Sequence, residues 1–399
     1  MSSETQPRDV QLLPIPGRRA VTGPAMFARK MIRGVEGRIH HWAVPRLVSS
    51  GYIPGPHSLL VQLNYKCNLR CSFCGQWGST GIFKSLPAGE LGQTLPLSVL
   101  QRVIRELPVT CGSVFLWGGE TLQYPNLIPL IRCIKELGMA CALVTNGTFL
   151  PKHARSLVEA DIDEIDVSLD AMEETHDRLR GAPGTFQAAL EGIRTARAVR
   201  SARGSRTPRI VANTTLFAAA VGELPALIRQ LRSEGVDFMS LGTLQYATEQ
   251  QGEAHEKVFE RLFQIAPVNW KGFERRPEPG GAERVRAMVE ELLSDGANKN
   301  FVRWGKRSWG PQDFFHYYLD PTTCAPADRA CRYPWDAVNI CPNGDVSPCP
   351  DFPDVVVGNV KQEPLPQIWN GPRFREFRRK LAEQGRFPIC TTCCHLYDG

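Results

Sequence analysis

The sequence has no long apolar run and no apolar stretch near its start. No segment approaches the roughly 18 consecutive apolar residues that a membrane-spanning helix needs. The first 20 residues are polar and contain prolines, which excludes the apolar region of a secretory signal. The sequence therefore predicts a cytoplasmic protein without a transmembrane segment, in which thiols stay reduced.

A strong excess of charge of one sign is also missing. The formal net charge is +6 over 399 residues, which permits an anionic substrate but gives no reason to expect a nucleic-acid partner. The arginine-rich stretch at 373–380 overlaps apolar residues at helical spacing, Phe374, Phe377 and Leu381. This pattern predicts the solvated basic face of a packed helix.

Cysteine is absent from one long part of the chain and concentrated in two others. None of the 13 cysteines lies between 142 and 323. Three lie together at Cys67, Cys71 and Cys74, three are scattered before 142, and seven lie from Cys324 onward. Because a cytoplasmic chain keeps its thiols reduced, this clustering indicates metal or redox chemistry rather than a disulfide framework.

From about residue 56 the chain alternates apolar, β-branched runs with segments of helical periodicity. The six predicted strands are Ser58–Asn64, Gly112–Trp117, Ala140–Val144, Glu164–Leu169, Arg209–Leu216 and Val236–Leu241. The alternation predicts an α/β fold with a parallel sheet, flat or curled into a partial (β/α)6 TIM-like barrel. In such folds functional residues collect at the carboxyl ends of the strands, and Cys67 follows the first strand.

The composition divides the chain into four parts. Residues 1–55 form an N-terminal extension in which 24–50 predict a basic amphipathic helix, packed on the main domain or held by a membrane surface or a partner. Residues 56–246 form the barrel core, and 247–320 break its rhythm and predict a bridging segment over the barrel mouth. An aromatic piece of this bridge, 304–318, predicts core packing or a cavity lining. Residues 321–399 form a small cysteine-rich α+β domain.

The first cysteine group has the spacing C-x3-C-x2-C in NYKCNLRCSFCGQWG. Three thiolates can hold three corners of a cubane iron–sulfur cluster, and a fully cysteine-held cluster needs four. The next thiol, Cys111, lies 37 residues further on at the start of the second strand and is a poor fourth ligand. One iron therefore stays open to bind and activate a ligand. The alternatives are a three-cysteine zinc site or buried structural thiols.

A C-x3-C-x2-C group placed after the first strand of a β/α series resembles the radical SAM superfamily. The resemblance implies a [4Fe–4S] cluster on Cys67, Cys71 and Cys74 whose open iron chelates S-adenosylmethionine (SAM). It also implies reductive cleavage of SAM to a 5′-deoxyadenosyl radical, with a reductant such as flavodoxin or ferredoxin. Phe73, just before the third cysteine, matches an aromatic residue that the family often has there.

Later strand ends carry further family-like motifs, whose implied role is SAM binding. Gly118-Gly119-Glu120 resembles the motif whose backbone and carboxylate hold the SAM amino group, and 145–147 (TNG) is a family-like turn. The remaining candidates resemble contacts to the ribose, carboxylate, methionine part or adenine of SAM, and they are Ser168, Asp170, Arg180, Asn213 and Leu244. The resemblance covers about residues 56–245.

The cysteine-rich tail resembles the SPASM/twitch extension of radical SAM enzymes. The resemblance implies one auxiliary [4Fe–4S] cluster, and the ligand set that fits it best is Cys331, Cys349, Cys390 and Cys393. Two auxiliary clusters are arithmetically possible, because Cys324, Cys341 and Cys394 bring the total to seven. The late cysteine run of a two-cluster domain is missing, which favours one cluster. A zinc ribbon is the alternative, although C-x17-C with C-x2-C is not a zinc-finger spacing.

The remaining thiols and the reaction stay open at this level. Cys324 or Cys341 is either an inert core thiol or a hydrogen-atom donor of the kind an epimerase needs.

A fully ligated auxiliary cluster favours a two-electron oxidation, a dehydrogenation in natural-product or cofactor biosynthesis. The alternatives are maturation of a ribosomally made peptide, epimerisation, or a non-catalytic iron–sulfur or zinc electron-transfer protein. Only 55 residues precede the barrel, which disfavours an N-terminal peptide-recognition domain. The substrate is a small molecule or a peptide, and the oligomeric state is not predicted.

Overall fold

The computed structural model describes residues 51–276, 278–305, 309–320, 330–393 and 396. The helix predicted at 24–50, together with Cys324 and Cys394, lies outside the described residues. Within the described ranges, no helix is both long and apolar enough to cross a bilayer.

In the described part of the chain, ten strands form one sheet in the order β10-β9-β8-β1-β2-β3-β4-β5-β6-β7. They are β1 (Ser58–Gln62), β2 (Ser113–Trp117), β3 (Ala140–Thr145), β4 (Glu164–Ser168), β5 (Arg209–Leu216), β6 (Phe238–Thr243), β7 (Val302–Trp304), β8 (Ala337–Ile340), β9 (Asp345–Ser347) and β10 (Gly358–Asn359). Strands β1 to β6 coincide with the six predicted strands within two residues at each end, and they pair in parallel in chain order. The sheet is open, so the partial barrel is confirmed.

Thirteen α-helices accompany these strands among the described residues. They are α1 (Ala88–Leu91), α2 (Leu97–Glu106), α3 (Leu127–Glu136), α4 (Leu150–Glu159), α5 (Glu173–Arg180), α6 (Thr185–Ala202), α7 (Leu224–Ser233), α8 (Glu249–Phe263), α9 (Gly281–Ser294), α10 (Pro311–Leu319), α11 (Tyr333–Asp336), α12 (Leu365–Trp369) and α13 (Pro372–Gln384). The longer helices between β1 and β6 bury an apolar stripe, as α2 does with Leu100, Val103 and Ile104, and these helices are α2, α3, α4, α6 and α7. The helical spacing of these buried residues explains why the segments between the strands form helices.

Four strands outside the predicted core extend the same sheet, with β7 beyond β6 at one end and β8, β9 and β10 beyond β1 at the other. Strand β7 comes from the predicted bridge and pairs in parallel with β6, with Ser240 opposite Arg303. Strand β8 comes from the cysteine-rich tail and pairs in parallel with β1, with Ser58 opposite Ala337. The bridge and the tail are therefore joined to the barrel by backbone hydrogen bonds. The division of the chain at 246 and 320 stays a prediction.

The strands of the barrel have one apolar and one mixed face. In β4, Ile165 and Val167 are fully buried under the helices, whereas Glu164, Asp166 and Ser168 alternate with them and are partly exposed. A closed TIM barrel fills its interior with branched apolar side chains. Here the alternation places polar side chains on the inner face, and the space inside the curved sheet stays open.

Helix α13 contains the basic stretch at 373–380. It is a packed helix as predicted, but one of its basic residues is not on the solvated face. Phe374, Phe377 and Leu381 are buried as predicted. Arg378 is not part of the solvated face, because its side chain is fully buried between the rings of Trp369 and Phe374, each 4.0 Å from its Cζ atom. Its guanidinium donates to carbonyls of three separate segments, at Pro334, Gly51 and Trp369.

Candidate active site and metal centres

The loop after β1 brings the first three cysteines together. Cys71 is buried, and Cys67 and Cys74 are half-buried. The loop turns tightly, since the amide of Cys74 donates to the carbonyl of Cys71 at 3.1 Å and that of Gly78 donates to the carbonyl of Cys74 at 2.8 Å. Burial raises the pKa of Cys67 to about 12, and the nearby thiolates of Cys71 and Cys74 add to that rise. Burial also raises the pKa of Cys71. A cluster bound here must therefore displace protons from the thiols.

Nitrogen donors point at the sulfurs of this loop. The Leu69 amide donates to Cys67 Sγ and the Trp77 amide donates to Cys74 Sγ, both at 3.4 Å. Asn146 Nδ2 lies 3.8 Å from Cys67 Sγ. Such donors stabilise sulfur that carries negative charge and tune an iron–sulfur cluster. The donor set fits a cluster held by three thiolates.

The two glycines after β2 allow that strand end to pack against the cysteine loop. A Cβ atom on Gly119 would lie 2.1 Å from the carbonyl oxygen of Lys66, and one on Gly118 would lie 2.8 Å from that of Asn64. The Gly119 amide donates to Asn64 and the Glu120 amide donates to Lys66, at 3.0 and 2.8 Å. The motif predicted to hold SAM thus also fixes the residues directly before Cys67.

The carboxylate of Glu120 is buried and faces protein donors. It accepts from Thr145 Oγ1 at 2.6 Å, from the Asn146 amide at 2.8 Å and from the Leu122 amide at 3.0 Å. Burial raises the pKa of Glu120, and these three hydrogen bonds oppose that rise. Glu120 therefore holds the TNG turn in place, and Asn146 of that turn reaches Cys67. The part of Glu120 in SAM binding stays a prediction.

The predicted residues after β4 form a buried ion pair beside the cysteine loop. Arg180 Nε donates to Asp170 Oδ2 at 2.8 Å, and the Thr215 amide donates to Asp170 Oδ1 at 3.0 Å. The guanidinium of Arg180 lies 5.2 Å from the centroid of the Phe73 ring and opposes the burial that raises the pKa of Cys71. The structure thus gathers Phe73, Asp170 and Arg180 around Cys71.

A cavity of about 780 Å³ opens inside the curved sheet next to this loop. Its wall includes three of the predicted SAM contacts, Phe73, Asn213 and Leu244, together with Cys74. Ser168, another predicted contact, pairs with Asn213 across β4 and β5. The structure therefore places these residues within reach of one ligand, and their individual roles stay predictions.

The bridge closes over the cysteine loop through contacts that the sequence did not indicate. Arg275 donates to the carbonyl of Phe73 at 2.5 Å. A Cβ atom on Gly272 would lie 2.1 Å from the carbonyl oxygen of Gly75, so the two segments touch through their backbones. Of the aromatic piece, Phe314 and Tyr317 are buried in the core, while Trp304 lines the large cavity.

The four cysteines predicted to hold the auxiliary cluster line one small apolar cavity. These residues are Cys331, Cys349, Cys390 and Cys393, and the rest of the wall includes Phe352, Phe377, Leu381 and Phe387. The Phe352 amide donates to Cys349 Sγ at 3.4 Å, and Cys393 Sγ lies 3.5 Å from Asp351 Oδ2. Four cysteines lining one apolar cavity supply the soft ligands that a fully ligated iron–sulfur cluster uses.

Cys341 lies apart from this set. It lines a second large cavity, of about 590 Å³, with Tyr65 and Trp117. Asn339 Nδ2 donates to Cys341 Sγ at 3.6 Å, and burial raises the pKa of this thiol to about 12. The same cavity is bordered by Gly75 of the first cysteine loop and by Asp351, which follows Cys349 and Pro350 in the chain. It therefore lies between the two cysteine groups.

Comparison with known proteins agrees with this arrangement. Residues 61–211 match the family model of the radical SAM superfamily, and residues 331–394 match an iron–sulfur cluster-binding domain, SPASM. The chain is a radical SAM enzyme. More narrowly, it belongs to the radical SAM enzymes with a SPASM domain, and its cofactors are SAM, a [4Fe–4S] cluster and an auxiliary cluster.

Several curated proteins are similar along most of the chain. Pre-heme d1 synthase of Dinoroseobacter shibae is 27% identical, covering 90% of this chain and 83% of its own length. AdoMet-dependent heme synthase of Methanosarcina barkeri is 25% identical, covering 84% and 88%. PqqA peptide cyclase of Gluconobacter oxydans is 27% identical, covering 81% and 79%.

Solved structures share the fold. SuiB of Streptococcus suis bound to its precursor peptide SuiA superposes with a TM-score of 0.59 at 16% identity, covering 92% of this chain and 74% of SuiB. At this identity the likeness extends to the architecture alone.

Proposed function

We propose that the protein oxidises a cofactor or natural-product precursor by two electrons. When bound, SAM and its cluster supply a 5′-deoxyadenosyl radical that removes a hydrogen atom from the substrate, and the auxiliary cluster supplies an acceptor for a second electron. The observation that carries this proposal is the cavity that Cys331, Cys349, Cys390 and Cys393 share. Four protein ligands leave no iron free for substrate, so electron transfer is the role that fits.

The residues around the two centres support separate roles for the SAM cluster and the auxiliary cluster. Phe73, Asn213 and Leu244 line a cavity beside Cys74 that is large enough for SAM and part of a substrate. The second cavity is bordered by both cysteine segments, through Gly75 and Asp351, and so connects the surroundings of the two centres. A flavodoxin or ferredoxin is the proposed electron source.

For the substrate, we propose a tetrapyrrole that is a cofactor precursor. Pre-heme d1 synthase and AdoMet-dependent heme synthase both take their names from tetrapyrroles, and both cover more than four-fifths of this chain. PqqA peptide cyclase makes a peptide the second candidate. The charged residues of the large cavity, described below, also fit an acidic small molecule.

The proposal is tested on anaerobically reconstituted protein given SAM and dithionite. We expect about eight iron atoms per chain and formation of 5′-deoxyadenosine. Joint replacement of Cys67, Cys71 and Cys74 by alanine should leave about four iron atoms and abolish 5′-deoxyadenosine. Joint replacement of Cys349 and Cys390 by alanine should also leave about four, keep SAM cleavage and abolish substrate oxidation.

The control is Cys133→Ala, because Cys133 is a buried thiol of α3 outside both cysteine groups. This variant should keep wild-type iron content and turnover. Oxidised product formed at the wild-type rate by the Cys349 and Cys390 variant would contradict the electron-acceptor role.

Epimerisation is a second candidate, because Cys341 offers a buried, protonated thiol to a cavity between the two cysteine groups. Turnover in D2O separates the two reactions. An epimerase would place solvent deuterium in the product and would lose that label in Cys341→Ala, whereas a dehydrogenase would do neither.

A further inference from the structure

The far wall of the large cavity is charged and has no part in the SAM contacts described above. The cavity runs from Cys74 and Leu244 near the carboxyl ends of the strands to Glu164, Arg209 and Arg303. Glu164 begins β4 and Ser168 ends it. Four residues of strand span about 13 Å at roughly 3.3 Å per residue, so the charged wall is well separated from the cysteine end.

Two guanidinium groups share one aromatic ring at this wall. The Cζ atom of Arg303 lies 3.5 Å from the centroid of the Phe238 ring, and that of Arg209 lies 5.8 Å from it. Arg209 is paired with Glu164 at 2.6 Å. Within the described ranges Arg303 makes no ion pair, so it holds an uncompensated positive charge against the ring.

The neighbouring carboxyl groups do not cancel this charge. Asp166 lies on the same face of β4 as Glu164, and one of its carboxyl oxygens is buried without a hydrogen-bond partner among the described residues. Burial, followed by repulsion from Glu164, raises the pKa of Asp166 to about 8. The environment of Asp166 therefore favours its protonated form, which is able to donate a hydrogen bond. Arg209, Arg303 and Glu164 leave one net positive charge.

We propose that Arg209 and Arg303 bind a carboxylate of the substrate and hold it at the far end of the cavity, away from the cysteine loop. The proposal rests on the proposed function and deepens it by requiring a tetrapyrrole with acidic side chains. One carboxylate is held between the guanidinium groups, and another edge of the ring system points toward Cys74. Guanidinium groups suit this task because their planar N–H donors match a carboxylate in pairs.

The anion bound here is distinct from the carboxylate of SAM. The predicted SAM contacts Phe73, Asn213 and Leu244 belong to the other part of the cavity, and Arg180 is buried beside Cys71. An anion between Arg209 and Arg303 also reduces the repulsion between two like charges over one ring. The wall is thus arranged for a second anionic group.

The experiment measures the dissociation constant of zinc coproporphyrin III, a fluorescent tetrapyrrole with four carboxylates, for the reconstituted protein with SAM. Arg303→Gln and Arg209→Gln should each raise the dissociation constant roughly tenfold or more, the loss expected for a charge-assisted hydrogen-bond pair. Arg303→Lys, which keeps the charge but not the planar donors, should weaken binding less. The tetramethyl ester, which has the same ring and no free carboxylate, should bind wild type and Arg303→Gln equally.

Arg155→Gln is the matched control, because Arg155 is an exposed arginine on α4. It should bind zinc coproporphyrin III as wild type does. Iron content and the circular dichroism spectrum verify that each variant is folded. Equal affinity of wild type and Arg303→Gln for the porphyrin would overturn the inference and leave the tetrapyrrole substrate standing. Absence of porphyrin binding to wild type, including a case in which the acidic peptide (Gly-Glu)4 binds instead, would overturn the substrate class and the inference together.

Discussion

At the scale of single residues, His255 is a buried group whose charge state couples folding to pH. It is 1% exposed, and neither ring nitrogen has a hydrogen-bond partner among the described residues. Its ring packs on Phe259 with centroids 4.0 Å apart and also faces Phe352 and Phe387 of the auxiliary-cluster site. Burial lowers the pKa of His255 to about 4, so the imidazole is neutral in the folded protein at pH 7.

The lowered pKa predicts a loss of stability in acid. The unfolded chain binds a proton near pH 6.5 and the folded chain only near pH 4, so stability is full above 6.5 and falls as the pH drops toward 4. At pH 5 the free energy of unfolding should be about 2 kcal/mol lower than at pH 7 from this residue.

His255→Phe should remove that part of the difference, measured as urea-unfolding free energies of the full chain at pH 7 and pH 5. His316→Gln, at an exposed position, is the control for loss of a histidine. An unchanged difference between the two pH values in His255→Phe would contradict the assignment.

Single residues of the site differ in whether the sequence alone identifies them. The cysteines, Phe73 and the GGE motif are recognisable because their spacing is local. Asn146 and Arg275 were not predicted as contacts of the cysteine loop, because their partners lie 79 and 202 positions away along the chain. Such contacts depend on which strand ends become neighbours, which no local pattern records.

At the scale of elements, the turn after β2 fixes the cysteine loop through backbone contact. A Cβ atom on Gly119 would overlap the Lys66 carbonyl, a backbone atom that cannot rotate away. Gly119→Ala should therefore displace the loop that carries Cys67 and lower the iron content from about eight to about four per chain. Gly89→Ala, where a Cβ atom meets nothing within 4 Å, should keep all of it. Wild-type iron content in Gly119→Ala would show that the loop tolerates the shift.

Helix α13 is anchored by the buried guanidinium of Arg378. Replacing it with methionine leaves the carbonyls of Gly51, Pro334 and Trp369 without their donor. Arg378→Met should lower the free energy of unfolding by about 3 kcal/mol or more, measured by chemical denaturation. Arg379→Met, one position along on the exposed face, should change it by less than about 0.5 kcal/mol. Equal effects of the two substitutions would show that the buried contacts contribute nothing.

The strands also differ in whether a sequence pattern predicts them. Strands β1 to β6 are predictable because each is a run of five to eight residues that carries apolar or β-branched side chains and stands between helices of clear periodicity. Strands β7 and β8 have three and four residues, too few to show a period. Their place in the sheet is decided by pairing with β6 and β1, at a long distance in sequence.

At the scale of the whole molecule, the tail completes the sheet. Strand β8 covers the edge of β1, and α13 binds Gly51 just before it. A chain ending at residue 330 would expose that edge and the apolar residues that face α12 and α13, such as Ile53. It should aggregate and fail to bind SAM, measured by size-exclusion chromatography and equilibrium dialysis.

The control for this truncation is the full chain with Cys349 and Cys390 replaced by alanine. It lacks two ligands of the auxiliary cluster but keeps the sheet, so it should stay monodisperse and bind SAM. A truncated chain that behaves in the same way would show that the barrel folds without the tail.

The alternating inner and outer faces of β4 have a consequence for how this protein is able to change. Ile165 and Val167 secure the strand to its helices, while Glu164 and Asp166 on the opposite face have no part in that packing. A substitution of Glu164 therefore changes the cavity wall without removing an apolar contact of the core. The core packing and the cavity wall are thus encoded by different, interleaved positions of the same five-residue strand.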